Sequence, residues 1–280
     1  MPEPELIVST HNLTKDYGTY RALNQINLAV PEGAIYGFIG ANGAGKTTTI
    51  RILLGLISAS SGHATVLGYS RGQLPCDPIA DLAYLPDVPR ISSWLTAKDA
   101  LITFAQLSGV PSDIAATRAD SLLELVGLHR THGTVGGFSR GMTQRLGIAS
   151  ALIGSPRLLI LDEPTSALDP MGRAEVLEII SSLAGKATVI FSSHLLGDVQ
   201  QVCSHVGLLD RGKLLAQGRL EEILETIPAT KSQLHITGEQ DDLNTARELL
   251  SAALPGLSIT EEKASLQDVY LQATTKELNQ

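Results

Sequence analysis

The sequence has little of what several protein classes need. Cysteine is almost absent: only Cys76 and Cys203 occur in 280 residues, which excludes a disulfide framework and a Cys-rich metal centre. A basic excess is also missing. Lys and Arg number 21 against 29 Asp and Glu, a net charge of -8, which argues against a generic nucleic-acid binder with its usual basic face. No stretch approaches the roughly 20 uncharged apolar residues that cross a bilayer, so the chain is not expected to span a membrane by itself. The first residues, Met1-Pro2-Glu3-Pro4-Glu5, carry acids where a secretory signal carries Lys or Arg. There is neither an internal repeat nor a low-complexity tract. What remains is an ordinary globular composition, 43% hydrophobic and 18% charged, able to bury a substantial core. These bounds predict a soluble cytosolic protein of one large domain or two modest ones.

Apolar, β-branched runs alternate with helical-period segments through most of the length, the pattern of an α/β architecture. Glu5–Val8 and Asn24–Val30 read as strands, the second ending at the turn Pro31-Glu32-Gly33. Ala34–Ile39 is a continuous apolar run, consistent with a strand buried on both faces. It leads directly into Gly40–Gly45, after which Lys46–Leu56 has helical spacing. Between about Val88 and Val135 the character changes: Trp94–Leu107 and Ser112–Leu128 have helical period and predict a helical insertion between two halves of the core. Arg157–Leu161 and Ala187–Ser192 predict further buried strands with a helix at Pro170–Leu183 between them, and Val206–Ala216 predicts a hairpin. The pattern weakens after Glu225. A linker at Thr226–Ser232 then precedes a small α+β appendage: a strand near 233–237, a helix at Asp242–Leu254, and two further segments at 257–260 and 266–274. The expected domains are therefore 1–225 and 226–280.

Two motifs carry chemistry by themselves. Gly40-Ala41-Asn42-Gly43-Ala44-Gly45-Lys46-Thr47-Thr48 fits the Walker A pattern G-x-x-x-x-G-K-[ST], and it sits between a predicted strand and a predicted helix. Glycines let successive N–H groups turn toward one anion, and the helix N-terminus adds positive potential. Lys46 is expected to reach the β/γ-phosphates and the Thr47 hydroxyl to coordinate Mg²⁺. Leu158-Leu159-Ile160-Leu161-Asp162-Glu163 is an apolar strand ending in two acids. Asp162 is placed to hold the Mg²⁺ shell and Glu163 to polarise an attacking water. Alone, the acids could be a simple cap before Pro164; downstream of Lys46 they read as a Walker B pair.

With these residues the sequence resembles the nucleotide-binding subunits of ATP-binding-cassette (ABC) transporters. Further family motifs follow in order over about residues 5–225. Tyr17, in Lys15-Asp16-Tyr17-Gly18, matches the aromatic that stacks on adenine. Ser139-Arg140-Gly141-Met142-Thr143-Gln144-Arg145 stands where the signature LSGGQ lies, Ser166-Ala167-Leu168-Asp169 matches the D-loop, and His194 matches the switch histidine. Singly, Ser139 could be a plain helix cap, Tyr17 a packed surface aromatic and His194 a structural histidine; their order favours the family reading.

The resemblance implies a P-loop NTPase (RecA-like) α/β core with an antiparallel β subdomain and a helical subdomain. It also implies ATP and Mg²⁺ as ligands and a head-to-tail dimer with ATP between two copies. The site residues implied are Lys46, Glu163 and His194 for catalysis. Tyr17, Gly40, Asn42, Gly43, Ala44, Gly45, Lys46, Thr47, Thr48, Ser139, Gly141 and Met142 are implied for the nucleotide, and Thr47, Asp162 and Asp87 for the metal. Two positions depart from the pattern. Arg140 replaces the second signature glycine, where it could add charge near nucleotide or simply be solvated. Asp87 replaces the usual Gln or Glu and is one methylene shorter than Glu.

A transporter reading implies a separate membrane permease subunit, docked on the helical insertion and the region after Asp87, at the cytoplasmic face of the membrane. The single cassette, the Ser139-Arg140-Gly141-Met142 variant and the ending Leu266-Gln267-Asp268-Val269-Tyr270-Leu271 resemble ATPases of ABC-2-type exporters of drugs, peptide antibiotics, polysaccharides or lipids. The competing class is a soluble ABC ATPase acting on ribosomes, nucleic acid or an assembly partner. Its usual fused cassettes or long coiled coils are not found here, and no nucleic acid is expected as a partner. The appendage could regulate or dimerise the subunit, or only cap it.

Overall fold

The computed structural model describes residues 5–225 and 240–253. The chain divides into two units, Met1–Leu224 and Glu225–Gln280. The first contains two sheets. One is antiparallel and built from β1 (Leu6–Tyr17), β2 (Tyr20–Ile26), β3 (Ala29–Pro31), β5 (Ser61–Val66) and β6 (Tyr69–Arg71), in the order β2-β1-β5-β6 with β3 also on β1. The other has six strands in the order β11-β10-β4-β9-β8-β7, using β4 (Ile35–Ile39), β7 (Leu82–Leu85), β8 (Leu158–Asp162), β9 (Thr188–Ser193), β10 (His205–Asp210) and β11 (Lys213–Arg219). All its neighbours pair in parallel except β10 and β11.

β4, β8 and β9 are buried at every position, which is why they read as continuous apolar runs. Alternate side chains then divide between two cores. Tyr36, Phe38, Leu158, Ile160 and Ile190 pack with Val8, Leu13 and Leu23 of the antiparallel sheet and with Ile50 and Leu53 of α1 (Lys46–Leu53). Ile35, Ile39, Leu159, Leu161, Val189 and Phe191 face the opposite way. There they meet apolar residues of α2 (Ala97–Leu107), α3 (Ser112–Leu125), α4 (Arg140–Leu152), α5 (Pro170–Ser182) and α6 (Leu196–Val202). Close packing of α2 on α3 is possible because small residues line the contact: Ala100, Ala105, Ala115 and Ala119 are all buried.

Several boundaries differ from the sequence expectation. The predicted strand 24–30 is two strands, β2 ending at Ile26 and β3 starting at Ala29, and Gln25, at φ 54°, falls at an irregularity in the pairing of β2 with β1. The helix expected from Trp94 starts at Ala97, where the Thr96 hydroxyl accepts a bond from the Asp99 N–H and caps it. Trp94 is left outside and 75% exposed. A short helix, α7 (Leu220–Glu225), follows β11. Of the predicted appendage elements, the helix is present as α8 (Gln240–Ala253). The segments 233–237, 257–260 and 266–274 lie outside the described residues.

Candidate active site

The site begins where β4 ends. Gly40 leaves the strand with its N–H bonded to the Ser193 carbonyl at 3.2 Å. A Cβ on Gly40 would lie 2.5 Å from the Leu209 carbonyl oxygen, so only glycine fits. Gly45, at φ +111°, closes the loop and opens α1; a Cβ there would meet the Leu23 side chain at 2.7 Å and the Ala22 carbonyl at 2.9 Å. Ala41, Asn42 and Gly43 are exposed at the mouth, while Ala44 is buried and Thr48 half-buried. The turn of the distant hairpin braces the loop. The Gly212 N–H donates to the Ala44 carbonyl at 2.9 Å, and the Gly212 carbonyl accepts from the Asn24 N–H at 2.7 Å. The result is a rigid turn opening on a helix N-terminus, the arrangement that favours a phosphate.

Lys46 is 6% exposed and its ammonium has three partners. Nζ donates to the Gly40 carbonyl at 2.5 Å and the Ala41 carbonyl at 3.4 Å, and it lies 3.0 Å from Oε1 of Glu163. The other carboxylate oxygen of Glu163 lies 2.8 Å from Nδ1 of His194. Glu163 has φ +49°, a left-handed conformation that costs a non-glycine residue about 1–2 kcal/mol. That turn swings its side chain from the end of β8 toward Lys46 and His194.

Ser192, from the adjacent strand β9, serves both acids. Its hydroxyl donates to Oδ1 of Asp162 at 2.6 Å and accepts from the Glu163 N–H at 2.9 Å. The Thr47 hydroxyl reaches the other Asp162 oxygen at 3.4 Å. Burial raises the pKa of Asp162, and the charges of Glu163 and Asp87 raise it further, against the bonds from Ser192 and Thr47. Tyr84 stands beside it, its phenol pushed up to about 12 chiefly by burial and then by the Asp162 and Asp87 charges.

Asp87 joins this group only through its field. It is exposed, and its Oδ1 accepts a bond from the N–H of Val88 at 2.8 Å. Tyr17, at the end of β1, is 48% exposed with the Lys15 ammonium 5.0 Å from its ring centroid.

The remaining nucleotide candidates gather elsewhere. Ser139 caps α4, its hydroxyl accepting from the Met142 N–H at 3.2 Å. Ser139, Arg140, Gly141 and Met142 line an open cleft of about 340 Å³ with Ala167 to Asp169 and Gly172. Asp169 in turn caps α5 by accepting from the Gly172 N–H at 3.0 Å. Among the described residues, no hydrogen bond or ion pair joins this cleft to the Lys46 group. The signature residues thus share a cleft with Ala167–Asp169 of the D-loop, while the D-loop's first residue stays with the acids, the Ser166 N–H donating to the Glu163 carbonyl at 3.1 Å.

Sequence reading missed Ser192, Thr165, Arg173 and Asp198. Thr165, two residues after Glu163, donates to buried Asp198 of α6 at 2.6 Å, and Arg173 of α5 pairs with the other oxygen of Asp198. None belongs to a contiguous pattern; only the three-dimensional bonding reveals them.

The donor set suits a small hard cation. Asp162 and Thr47 present oxygens side by side, and among the described residues the buried carboxylate, its pKa raised, makes no ion pair. Among the described residues no cluster of three or more His, Cys, Asp or Glu forms a protein-only cage. Mg²⁺ needs none, because it is held by one or two protein oxygens together with phosphate and water.

The ABC transporter family profile matches residues 23–166, just over half of the chain. The chain belongs to the ABC transporter family. It is an ATP-binding subunit of that family, with ATPase activity. The ABC subunit is 44% identical over 214 residues to the bacitracin transport ATP-binding protein BcrA of Bacillus licheniformis, covering 75% of this chain and 69% of that one. It is 33% identical to the linearmycin resistance ATP-binding protein LnrL of Bacillus subtilis, covering 83% and 76%. An ATP-binding subunit of an ABC transporter of known structure superposes with a TM-score of 0.71 at 28% identity, covering 86% and 98%. A dimeric cassette solved in a post-hydrolysis state with ADP and Pi has the same fold, TM-score 0.67 at 22% identity, covering 76% and 98%. The α/β core with its added antiparallel sheet and helices is therefore the P-loop fold of these cassettes.

Proposed function

We propose that this ABC subunit energises export through a separate membrane permease, working as a pair of copies that enclose ATP and open when it is hydrolysed. The observation that carries the reading is Glu163, bonded through its two oxygens to Lys46 and His194 at the end of the P-loop strand system.

In this reading the glycine loop, the α1 N-terminus and Lys46 bind the phosphates of ATP, with Tyr17 against the base. Asp162 and Thr47 would hold Mg²⁺, which when bound supplies neutralising charge to the phosphates; Asp87 contributes only longer-range charge. Glu163 accepts the proton of the water that attacks the γ-phosphorus in line, and His194 orients Glu163 through its 2.8 Å contact. The water's O–P bond forms as the bond to the bridging oxygen breaks, giving ADP and phosphate. Ser139 and the N–H groups opening α4, with Gly141 and Met142, serve the γ-phosphate held by the other copy, a role their shared open cleft supports.

The exporter assignment is supported by the similarity to antibiotic-transport and resistance subunits. No helix among the described residues is long and apolar enough to cross a membrane, and in this reading a partner holds the cargo path. The exposed Val88 and Trp94, just past Asp87, suit docking on that partner at the cytoplasmic face. The test is capture of tagged Glu163→Gln protein with Mg-ATP from detergent-solubilised membranes of the source cell. A polytopic protein recovered in stoichiometric amount is the expected result. Recovery of ribosomes or soluble partners alone would overturn the transport reading in favour of a soluble ABC ATPase.

A further inference from the structure

Among the described residues, Asp198 is the most deeply buried carboxylate outside the Lys46 group, with 0% exposure. It lies in the first turn of α6, four residues after His194. Each oxygen has a different task. Oδ2 accepts from the Thr165 hydroxyl at 2.6 Å, and Oδ1 pairs with the Arg173 guanidinium.

The three segments that meet here all lead to chemical groups. Thr165 follows Glu163 by two residues, in the turn that leaves β8. Arg173 is one helical turn from Asp169, and its N–H donates to the Asp169 carbonyl at 2.9 Å. Asp169 lines the cleft with Ser139. His194 enters α6 through a short link in which the Ser193 hydroxyl accepts from the Leu195 N–H at 3.0 Å. A single anion therefore fixes the chain after Glu163, the start of the His194 helix and the D-loop helix.

A polar group so buried is costly to leave without its partners. That makes the three-way junction rigid rather than adjustable. Catalytic pairs are sensitive to such support, because displacement by an ångström can cost about a hundredfold in rate.

We propose that Asp198 is a positioning residue for hydrolysis: through Thr165 and Arg173 it sets His194 against Glu163 and ties that pair to the Ser139–Asp169 cleft. The proposal rests on the hydrolytic roles given above to Glu163 and His194. Asp198 touches neither phosphate nor water.

The test compares the full chain with its isosteric variants Asp198→Asn and Thr165→Val. The second removes one hydroxyl and keeps the protein fold should the first not express. Steady-state phosphate release should show kcat falling about tenfold while KM for ATP stays within about twofold, the pattern of a lost transition-state interaction. In parallel, the imidazole signals of ¹³C-histidine protein are recorded at fixed pH, with His194 assigned by its loss in His194→Gln. The His194 signal should move in both variants while the signals of exposed His11 and His63 stay put. A kcat within twofold of the parent in folded variants, or an unmoved His194 signal, overturns the proposal. A parent chain without ATP turnover refutes the hydrolase reading instead, and the His194 signal still decides the positioning role.

Discussion

Lys46 is paired with Glu163, ammonium to carboxylate at 3.0 Å. The residue assigned to phosphate and the residue assigned to water thus hold one another. In the proposed mechanism, a phosphate that drew Lys46 toward itself would take it from Glu163 and leave the carboxylate to His194, so that substrate entry and release of the base would be one rearrangement.

Lys46→Ala should weaken ATP binding. Loss of a charge-assisted bond of about 1.5–3 kcal/mol corresponds to roughly 10- to 150-fold in Kd. Titration with a fluorescent ATP analogue measures this directly, and unchanged affinity would remove Lys46 from the phosphate site.

Glu163→Gln should bind ATP normally and lose turnover by about 10²- to 10⁴-fold, the usual contribution of a positioned general base. Phosphate release and analogue binding separate the two effects. Turnover at the parental rate would show that another group handles the proton.

Asp162 makes a prediction about pH. Its folded pKa lies above the ordinary aspartate value of 3.8. Between the unfolded and the folded pKa the native state therefore binds more protons than the unfolded chain, and stability falls as pH rises through that window. Asp162→Asn abolishes the loss. Without Mg²⁺ the variant should melt above the parent at pH 7, by about 2–4 °C for each kcal/mol relieved, and the gap should close below pH 3.8, where both states are protonated. Added Mg²⁺ and ATP should reverse the order at pH 7, because only the carboxylate holds the cation. A parent that outlasts the variant at pH 7 without Mg²⁺ contradicts the electrostatics described here.

Gly40→Ala should destabilise the subunit by about 1–3 kcal/mol, the usual cost of overpacking, because its methyl lies 2.5 Å from the Leu209 carbonyl. Gly43→Ala meets no atom within 4 Å and is strained only by its positive φ, so it should cost less. Chemical denaturation of the two variants gives the comparison.

How much of this was readable from residues alone follows from how local each feature is. The phosphate loop is nine consecutive residues in a strand–helix context, and its neighbours β4 and α1 lie where hydrophobic period places them. The buried strands β8 and β9 were legible because both faces are covered and the apolar run is unbroken. β5 and β6 were not: Ser61, Gly62 and His63 are exposed, and the strand shows apolar alternation only at Ala64 and Val66. β7 is half-buried at three of its four positions and gave little periodic signal. In the site, Ser192 and Asp198 escaped because each acts across strands or helices about 30 residues from its partner. Asp87 carried a family expectation, but its carboxylate is engaged by its own neighbour's N–H.

The brace from Gly212 to Ala44 bears on how small a working piece of this subunit can be. Every residue with an assigned chemical task in the site lies at or before His194. A chain ended there would keep each of those groups yet lose β10 beside β4, the Leu209 carbonyl against Gly40 and the hairpin turn behind Ala44. The phosphate loop would then have no back wall. The shortest fragment able to grip ATP should therefore run on at least through the hairpin turn at Gly212, and the family-matched stretch 23–166, expressed alone, should not bind it.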